Sequence, residues 1–238
     1  MSDGRVGDAE PDELSTEGNA EPDAELSTPQ TDAWRWISYP EDARVPAIGD
    51  EVHVAPRASR EWACARARVT ELPDADHAIV RRDANGAHSR VRRVRLTSVL
   101  APDERAVVVC AGTDSFRRLA DSQPSPRDAL VVELGSSYGD ATARLARAVG
   151  DAARVVGLEV SATAHAEACL RHPTLRFVRL DCVADKADLA LAVREATCLF
   201  VDLGGDRSAT TLLLLLPFLQ RAAPACRLIA IKSEQLHA

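Results

Sequence analysis

One stretch constrains this chain's fold more than any other: Leu130-Val131-Val132-Glu133-Leu134-Gly135-Ser136-Ser137-Tyr138-Gly139-Asp140. An apolar run of strand length ends in an acid, and a turn with two glycines then leads into a helix-like stretch. Glycine admits positive φ and leaves room for a ligand beside the backbone. A helix beginning near Ala141 would aim its free N–H groups at whatever sits in that turn. The same strand-then-helix rhythm continues on both sides. From Arg105 onward, strand signals fall at Val107–Cys110, Ala129–Leu134, Val155–Val160, Leu175–Leu180, Cys198–Leu203 and Arg227–Lys232. Helical stretches separate them at Asp114–Ser122, Thr142–Val149, Ala162–Arg171, Lys186–Ala196 and Ala209–Ala222, the last with a kink expected at Pro217. Such alternation predicts an α/β fold with a parallel sheet.

Four successive strands end in acids: Glu133, Glu159, Asp181 and Asp202. Open α/β sheets bind ligands at the carboxyl ends of their strands, so a row of acids there bears on ligand charge. A dinucleotide fingerprint needs a glycine where Ser137 stands, and a carboxylate at Glu133 repels phosphate. A nicotinamide oxidoreductase is therefore disfavoured. S-adenosylmethionine carries an ammonium, a sulfonium and no phosphate, and its charge suits the row. Glu159 is placed to accept both ribose hydroxyls, each hydrogen bond to a charged acceptor being worth about 1.5–3 kcal/mol. Asp181 is placed for the adenine amino group.

On these residues the segment from about Ala129 to Ser233 resembles the class I S-adenosylmethionine-dependent methyltransferases. The resemblance implies a Rossmann-like sheet and a cofactor-binding set of Glu133, Gly135, Ser136, Ser137, Tyr138, Gly139, Glu159, Asp181 and Asp202. Asp202 after the fourth of these strands and Lys232 on the fifth further resemble the ribose 2′-O-methyltransferases of RNA. That likeness implies a catalytic pair, Asp202 and Lys232, acting on a hydroxyl that is a poor nucleophile unless activated or held in line. Where that family carries a further lysine, the nearest basic residues here are Arg117 and Arg118, and arginine does not serve as a base near neutral pH. Leu203-Gly204-Gly205 replaces the N-P-P-Y-like motif of enzymes that methylate base amino groups. Members of the class usually add two strands beyond the fifth. The sequence ends at Ala238, so the expected sheet lacks them, and a partner or dimer is expected to cover the exposed edge.

Upstream, three regions are expected. Residues 1–32 hold ten acids against one base and almost no large apolar side chains, which predicts a disordered acidic tail. Residues 33–100 read as a small all-β barrel: short strand signals at 50–54, 65–69, 77–80 and 91–96 lie between turn signals such as Asn85-Gly86. Gly49-Asp50-Glu51-Val52, Trp62 and Ala67-Arg68-Val69 resemble Tudor or Agenet-type SH3-like barrels, which implies a ligand-reading module. Eleven arginines against seven acids between Arg44 and Arg95 would also suit nucleic acid. Residues 101–238 form the expected cofactor-binding domain.

Aromatics make up only 4% of the chain, so the core must come from Ala, Val and Leu. The six cysteines include no C-x-x-C pair, which predicts no metal site and a reducing, intracellular compartment, cytoplasm or nucleus. No signal peptide opens the sequence, and Leu212–Leu219 is too short to span a bilayer, so no membrane role is expected. Two functions fit. One is a methyltransferase whose acceptor is RNA or protein, the ribose 2′-hydroxyl among the candidates. The alternative is a non-catalytic adaptor with a degenerate methyltransferase domain and an RNA- or protein-binding barrel.

Overall fold

The computed structural model describes residues 34–42, 45–55, 65–98, 100, 104–203 and 208–237. The tail at 1–32, Trp62 and Gly204-Gly205-Asp206 lie outside the described residues. The chain enters as β1 (Arg35–Tyr39) and continues through five short strands. These are β2 (Glu51–Val54), β3 (Ala65–Glu71), β4 (His77–Arg82), β5 (His88–Arg92) and β6 (Leu96–Ser98). Strand and helix then alternate: β7 (Ala106–Cys110), α1 (Thr113–Ser122), β8 (Val131–Leu134), α2 (Asp140–Val149), β9 (Val155–Glu159) and α3 (Ala162–Arg171). The series closes with β10 (Arg176–Arg179), α4 (Lys186–Val193), β11 (Cys198–Val201), α5 (Ala209–Ala222), β12 (Leu228–Lys232) and α6 (Glu234–His237).

Seven strands form one parallel sheet in the order β1-β7-β12-β11-β8-β9-β10. Its inner strands, β7, β12, β11, β8 and β9, are buried and largely apolar on both faces, as strands covered on both sides must be. Val132, Leu134, Val156, Leu158, Leu199, Val201, Ile229 and Ile231 pack against α4 and α5 through Leu189, Val193, Leu212, Leu215 and Leu219. The alternate residues, Val131, Val155, Cys198, Phe200, Leu228 and Ala230, meet Phe116 and Leu119 of α1 and Leu145 and Val149 of α2. Period-two alternation along each strand thus feeds two separate cores, one per face. Full burial of each such side chain contributes roughly 1.5–3 kcal/mol. Phe116 and Phe200 meet edge to face at 5.7 Å between centroids, an aromatic contact in a chain that has few.

Two expectations change here. The sheet does not stop at β12, because β7 pairs with it from Ala106↔Leu228 to Cys110↔Lys232. Outside β7 lies β1, in register from Arg35↔Ala106 to Tyr39↔Cys110. The two positions thought to be missing are filled from the N-terminal side, so no partner is needed at the edge of β12. Consequently Arg35–Tyr39, read from sequence as part of the small β-region, belongs to the large sheet. Each of these strands is five residues long, and no local pattern records which distant strand a segment will pair with.

The remaining strands form an antiparallel sheet, β5-β4-β3-β2-β6, around Val52, Val54, Ala67, Val69, Ala78, Val80 and Val91. The stretch expected as one strand at 91–96 is split. Arg93–Arg95 makes a 3-10 turn with no buried residue, and Leu96–Ser98 then crosses to pair with β2. Both sheets lie in one compact unit, Ala33–Ala238. Polar bonds join them: Arg66 donates to the Pro124 carbonyl at 3.0 Å and Gln123 to the Ser98 carbonyl at 3.3 Å. Arg227 grips Asp128 through Nε and Nη2 at 3.1 and 2.9 Å just beneath them. Helix α5 continues past Pro217, and its first turn is capped by Gln235, which accepts from the Ala209 amide at 2.8 Å. No helix among the described residues is long and apolar enough to cross a membrane.

Candidate functional site

Strand β8 has β9 on one side and β11 on the other, so the sheet order reverses there. Successive connections leave such a point on opposite faces, and a crevice opens above the strand ends. The crevice is a cleft of about 260 Å³ lined by Gly135, Ser137, Leu158, Glu159, Val160, Ser161, Ala164, Leu180, Asp181, Cys182, Val183, Asp202 and Leu203.

Its floor is the turn between β8 and α2. The Gly135 and Ser136 amides both donate to the Leu158 carbonyl, at 2.8 and 2.9 Å, which ties the turn to β9. Gly135 has φ +85°, and a Cβ there would lie 2.0 Å from the Asp202 carbonyl oxygen. The end of β11 therefore sits where any side chain at this position would go. Ser137 also takes a left-handed conformation, φ 48°, which few non-glycine residues adopt. Gly139, φ +85°, forms the N-cap of α2, and a Cβ would collide with Phe177 at 2.7 Å and His172 at 2.8 Å.

Glu159 is the best-held acid of the cleft. Its Oε2 accepts from the Ser137 amide at 2.8 Å and its Oε1 from the Ser161 amide at 2.7 Å. Only 8% exposed, it is fixed in orientation, and each oxygen keeps a second lone pair for a ligand donor. Asp181 closes a turn after β10, its Oδ1 accepting from the Val183 and Ala184 amides at 2.9 and 3.1 Å. Asp202, after β11, meets Lys232 at the end of β12 with Oδ2 and Nζ 2.5 Å apart. Leu158, Val160, Leu180, Val183 and Leu203 supply apolar walls. Burial pushes the Cys182 thiol up to about 12, so this wall residue stays a neutral thiol rather than a nucleophile.

Of the residues expected from sequence, the cleft gathers Gly135, Ser137, Glu159, Asp181 and Asp202, with Lys232 bonded to Asp202. Four others stand elsewhere. Glu133 is 2% exposed beneath the turn, where Thr142 of α2 donates to its Oε2, and it does not line the cleft. Burial pushes its carboxyl up to about 8, with Asp202 adding to the rise and Thr142 and Lys232 opposing it. Near pH 7 it is largely neutral, so the repulsion of phosphate assigned to it from sequence does not operate. Ser136 is buried, and its Oγ has no hydrogen-bond partner among the described residues. Tyr138 points outward, 46% exposed, with the Arg171 guanidinium 4.9 Å from its ring centre. Gly139 caps the helix away from the cleft lining.

The walls Ser161, Val160 and Val183 were not singled out from sequence. A signal for Ser161 was present: it precedes a helical run and caps α3, accepting from the Ala164 amide at 3.3 Å. Among the described residues no group of His, Cys, Asp or Glu is arranged to hold a metal ion.

No family model and no curated protein matches the sequence. Solved structures with a similar arrangement include a protein assigned as a caffeoyl-CoA O-methyltransferase from Staphylococcus aureus, at 14% identity and TM-score 0.32. That likeness covers 40% of this chain and 46% of the other. Another is Aeropyrum pernix fibrillarin with S-adenosyl-L-methionine bound, at 12% identity and TM-score 0.35, covering 66% of this chain and 64% of that one. The chain thus spans less than half of the first protein and just under two thirds of the second. Likeness this distant leaves the site to be judged from its own residues.

Proposed function

We propose that this chain is an S-adenosylmethionine-dependent methyltransferase of the Rossmann-like class I type, with its cofactor in the cleft above β8, β9 and β10. The observation that carries the reading is Glu159, a carboxylate locked by two backbone amides at the mouth of a crevice with apolar walls. A carboxylate so held suits a pair of vicinal hydroxyls. Asp181 on the next strand, flanked by Leu180 and Val183, suits an adenine edge against apolar walls. The turn from Gly135 to Ser137, tied to β9 and pressed against the end of β11, gives the floor on which the amino-acid end would lie beside Asp202. When bound, S-adenosylmethionine supplies an electrophilic methyl group on a sulfonium.

The acceptor reading follows from Lys232 and Asp202. Their contact places an ammonium and a carboxylate at one corner of the cleft. There Lys232 would donate to the acceptor oxygen and hold it in line, and Asp202 would take the hydroxyl proton as the methyl C–O bond forms and the methyl C–S bond breaks, the sulfur leaving as a neutral thioether. A ribose 2′-hydroxyl of RNA is the acceptor this pair suits best. The antiparallel sheet, with its last strand returning beside its first after a 3-10 turn, supports an SH3-like, Tudor-type barrel that recruits the acceptor.

The reading is tested by incubating the full chain with methyl-labelled S-adenosylmethionine and fractionated RNA or protein. Label is expected in RNA, and Lys232→Ala is expected to abolish transfer while leaving cofactor affinity within about twofold. One observation favours the adaptor alternative: the Lys232–Asp202 pair satisfies both groups without any substrate. Cofactor binding with no transfer to any fraction would establish that alternative.

A further inference from the structure

A second hollow, about 300 Å³, lies on the α1–α2 face and is lined by Arg117, Asp140, Ala143, Arg144, Arg147 and His172. Its three arginines are not equivalent. Arg144, 8% exposed, is committed to Asp121 at 2.6 Å and serves as the wall between the two helices. Neither Arg117 nor Arg147 has a hydrogen bond or ion pair within 4 Å among the described residues. They converge from α1 and α2 on a hollow that holds two carboxylates against three guanidinium groups, Asp121 already paired with Arg144 and Asp140 exposed at the lining. His172 adds a further polar atom: its Nε2 is buried, has no hydrogen-bond partner among the described residues, and lies at a long ion-pair distance, 3.9 Å, from the exposed carboxylate of Asp140. An orphaned buried nitrogen carries a cost of about 1–3 kcal/mol unless something binds it.

The segment that leads into this hollow carries an exposed aromatic side chain. Tyr138, exposed, lies one residue from the Gly139 cap and two from Asp140, with the Arg171 guanidinium stacked over its ring. Because Ser137 lines the cleft and Asp140 lines the hollow, a single four-residue span borders both. Unpaired guanidinium groups beside an exposed ring are the two elements that hold single-stranded nucleic acid: charge tracks the backbone and the ring stacks a base.

We propose that this hollow is a phosphate-binding subsite for single-stranded RNA, with Arg117 and Arg147 on the phosphate, His172 Nε2 as an additional donor, and Tyr138 stacking the adjoining base. The subsite does not require the cleft to hold an adenosyl compound, so its failure and that of the cofactor reading are separable.

The test is fluorescence anisotropy of a labelled twelve-nucleotide oligouridylate with the full chain, without cofactor, across a range of salt. The double variant R117A/R147A is expected to weaken binding about tenfold or more and to flatten the slope of log K against log salt by about 1.4, the value for two lost single-strand contacts. Tyr138→Ala is expected to weaken it at least about fivefold with the slope unchanged. R194A/R221A removes the same charge from the C-terminal cap of α4 and from α5 and is expected to change affinity less than twofold. Equal losses in the two double variants, or no loss in R117A/R147A, would overturn the proposal. So would uridine monophosphate binding as tightly as the twelve-mer, which would mark a mononucleotide site, or tighter binding of a phosphoserine peptide of matched charge. Circular dichroism and S-adenosylmethionine affinity of each variant separate lost folding and lost cofactor binding from lost RNA binding.

Discussion

The ends of β8 and β9 look alike in sequence and do opposite things in the molecule. Each carries a glutamate, each glutamate is less than 10% exposed, and each accepts a hydrogen bond from the segment beyond. Glu133, however, is paired with Gly157 in the ladder, whereas Glu159 lies two residues further along β9. At about 3.3 Å per residue, that offset lifts Glu159 some 6–7 Å nearer the open edge. Glu133 is left under the turn and tied to α2 by Thr142, while Glu159 stands at the mouth of the cleft. Buried depth, not residue type, decides which carboxylate is structural and which can meet a ligand.

The sharpest way to break the comparison is the turn between them. Gly135→Ala forces a Cβ against the Asp202 carbonyl at positive φ, and a loss on the order of 5 kcal/mol is expected, read as a fall in the unfolding midpoint in urea. Retention of wild-type stability would mean that β8 and β11 do not approach so closely.

Next in size is Glu133→Gln. The folded pKa of Glu133, about 8, lies above its unfolded value of 4.5, so the unfolded chain releases this proton first as pH rises. Wild-type stability should therefore fall between pH 4.5 and 8 through this group, and be unaffected by it below that window. The glutamine variant should be more stable by a few kcal/mol at pH 8, on the order set by the shift, and no more stable below pH 4.5. Its S-adenosylmethionine affinity should not change.

Glu159→Ala reverses that pattern. Cofactor affinity is expected to fall about 100-fold, or about 2.7 kcal/mol, with a smaller loss of stability from the released Ser137 and Ser161 amides. Smallest is Thr142→Val, which deletes the donor to Glu133. It should cost about 1 kcal/mol of stability and leave ligand binding intact. An effect on binding as large as that of Glu159→Ala would erase the distinction between the two strand ends.

Periodicity made much of this fold legible. The helices at Ala162–Arg171 and Ala209–Ala222 have the bounds read from sequence, and the strands from β8 to β12 lie within a few residues of their expected places. Local patterns report local conformation, and there they were sufficient. They were insufficient for β1 and β7, whose neighbours in the sheet are far away in sequence and leave no trace in a five-residue window. The site divides in the same manner. Strand-end acids could be seen, but the depth of each depends on register between strands, so Glu133 and Glu159 were indistinguishable. Arg117 and Arg147 were visible only as charge, because their shared hollow arises from the packing of α1 on α2.

The most direct measurement is calorimetric titration of S-adenosylmethionine into the wild-type chain, Glu133→Gln and Glu159→Ala under one buffer. The wild type and Glu133→Gln should bind one equivalent with matching affinity, and Glu159→Ala should bind at least about 100-fold more weakly. Absence of binding by the wild type, or weakening in Glu133→Gln with none in Glu159→Ala, would contradict the assignment of the cleft above β9 as the cofactor site.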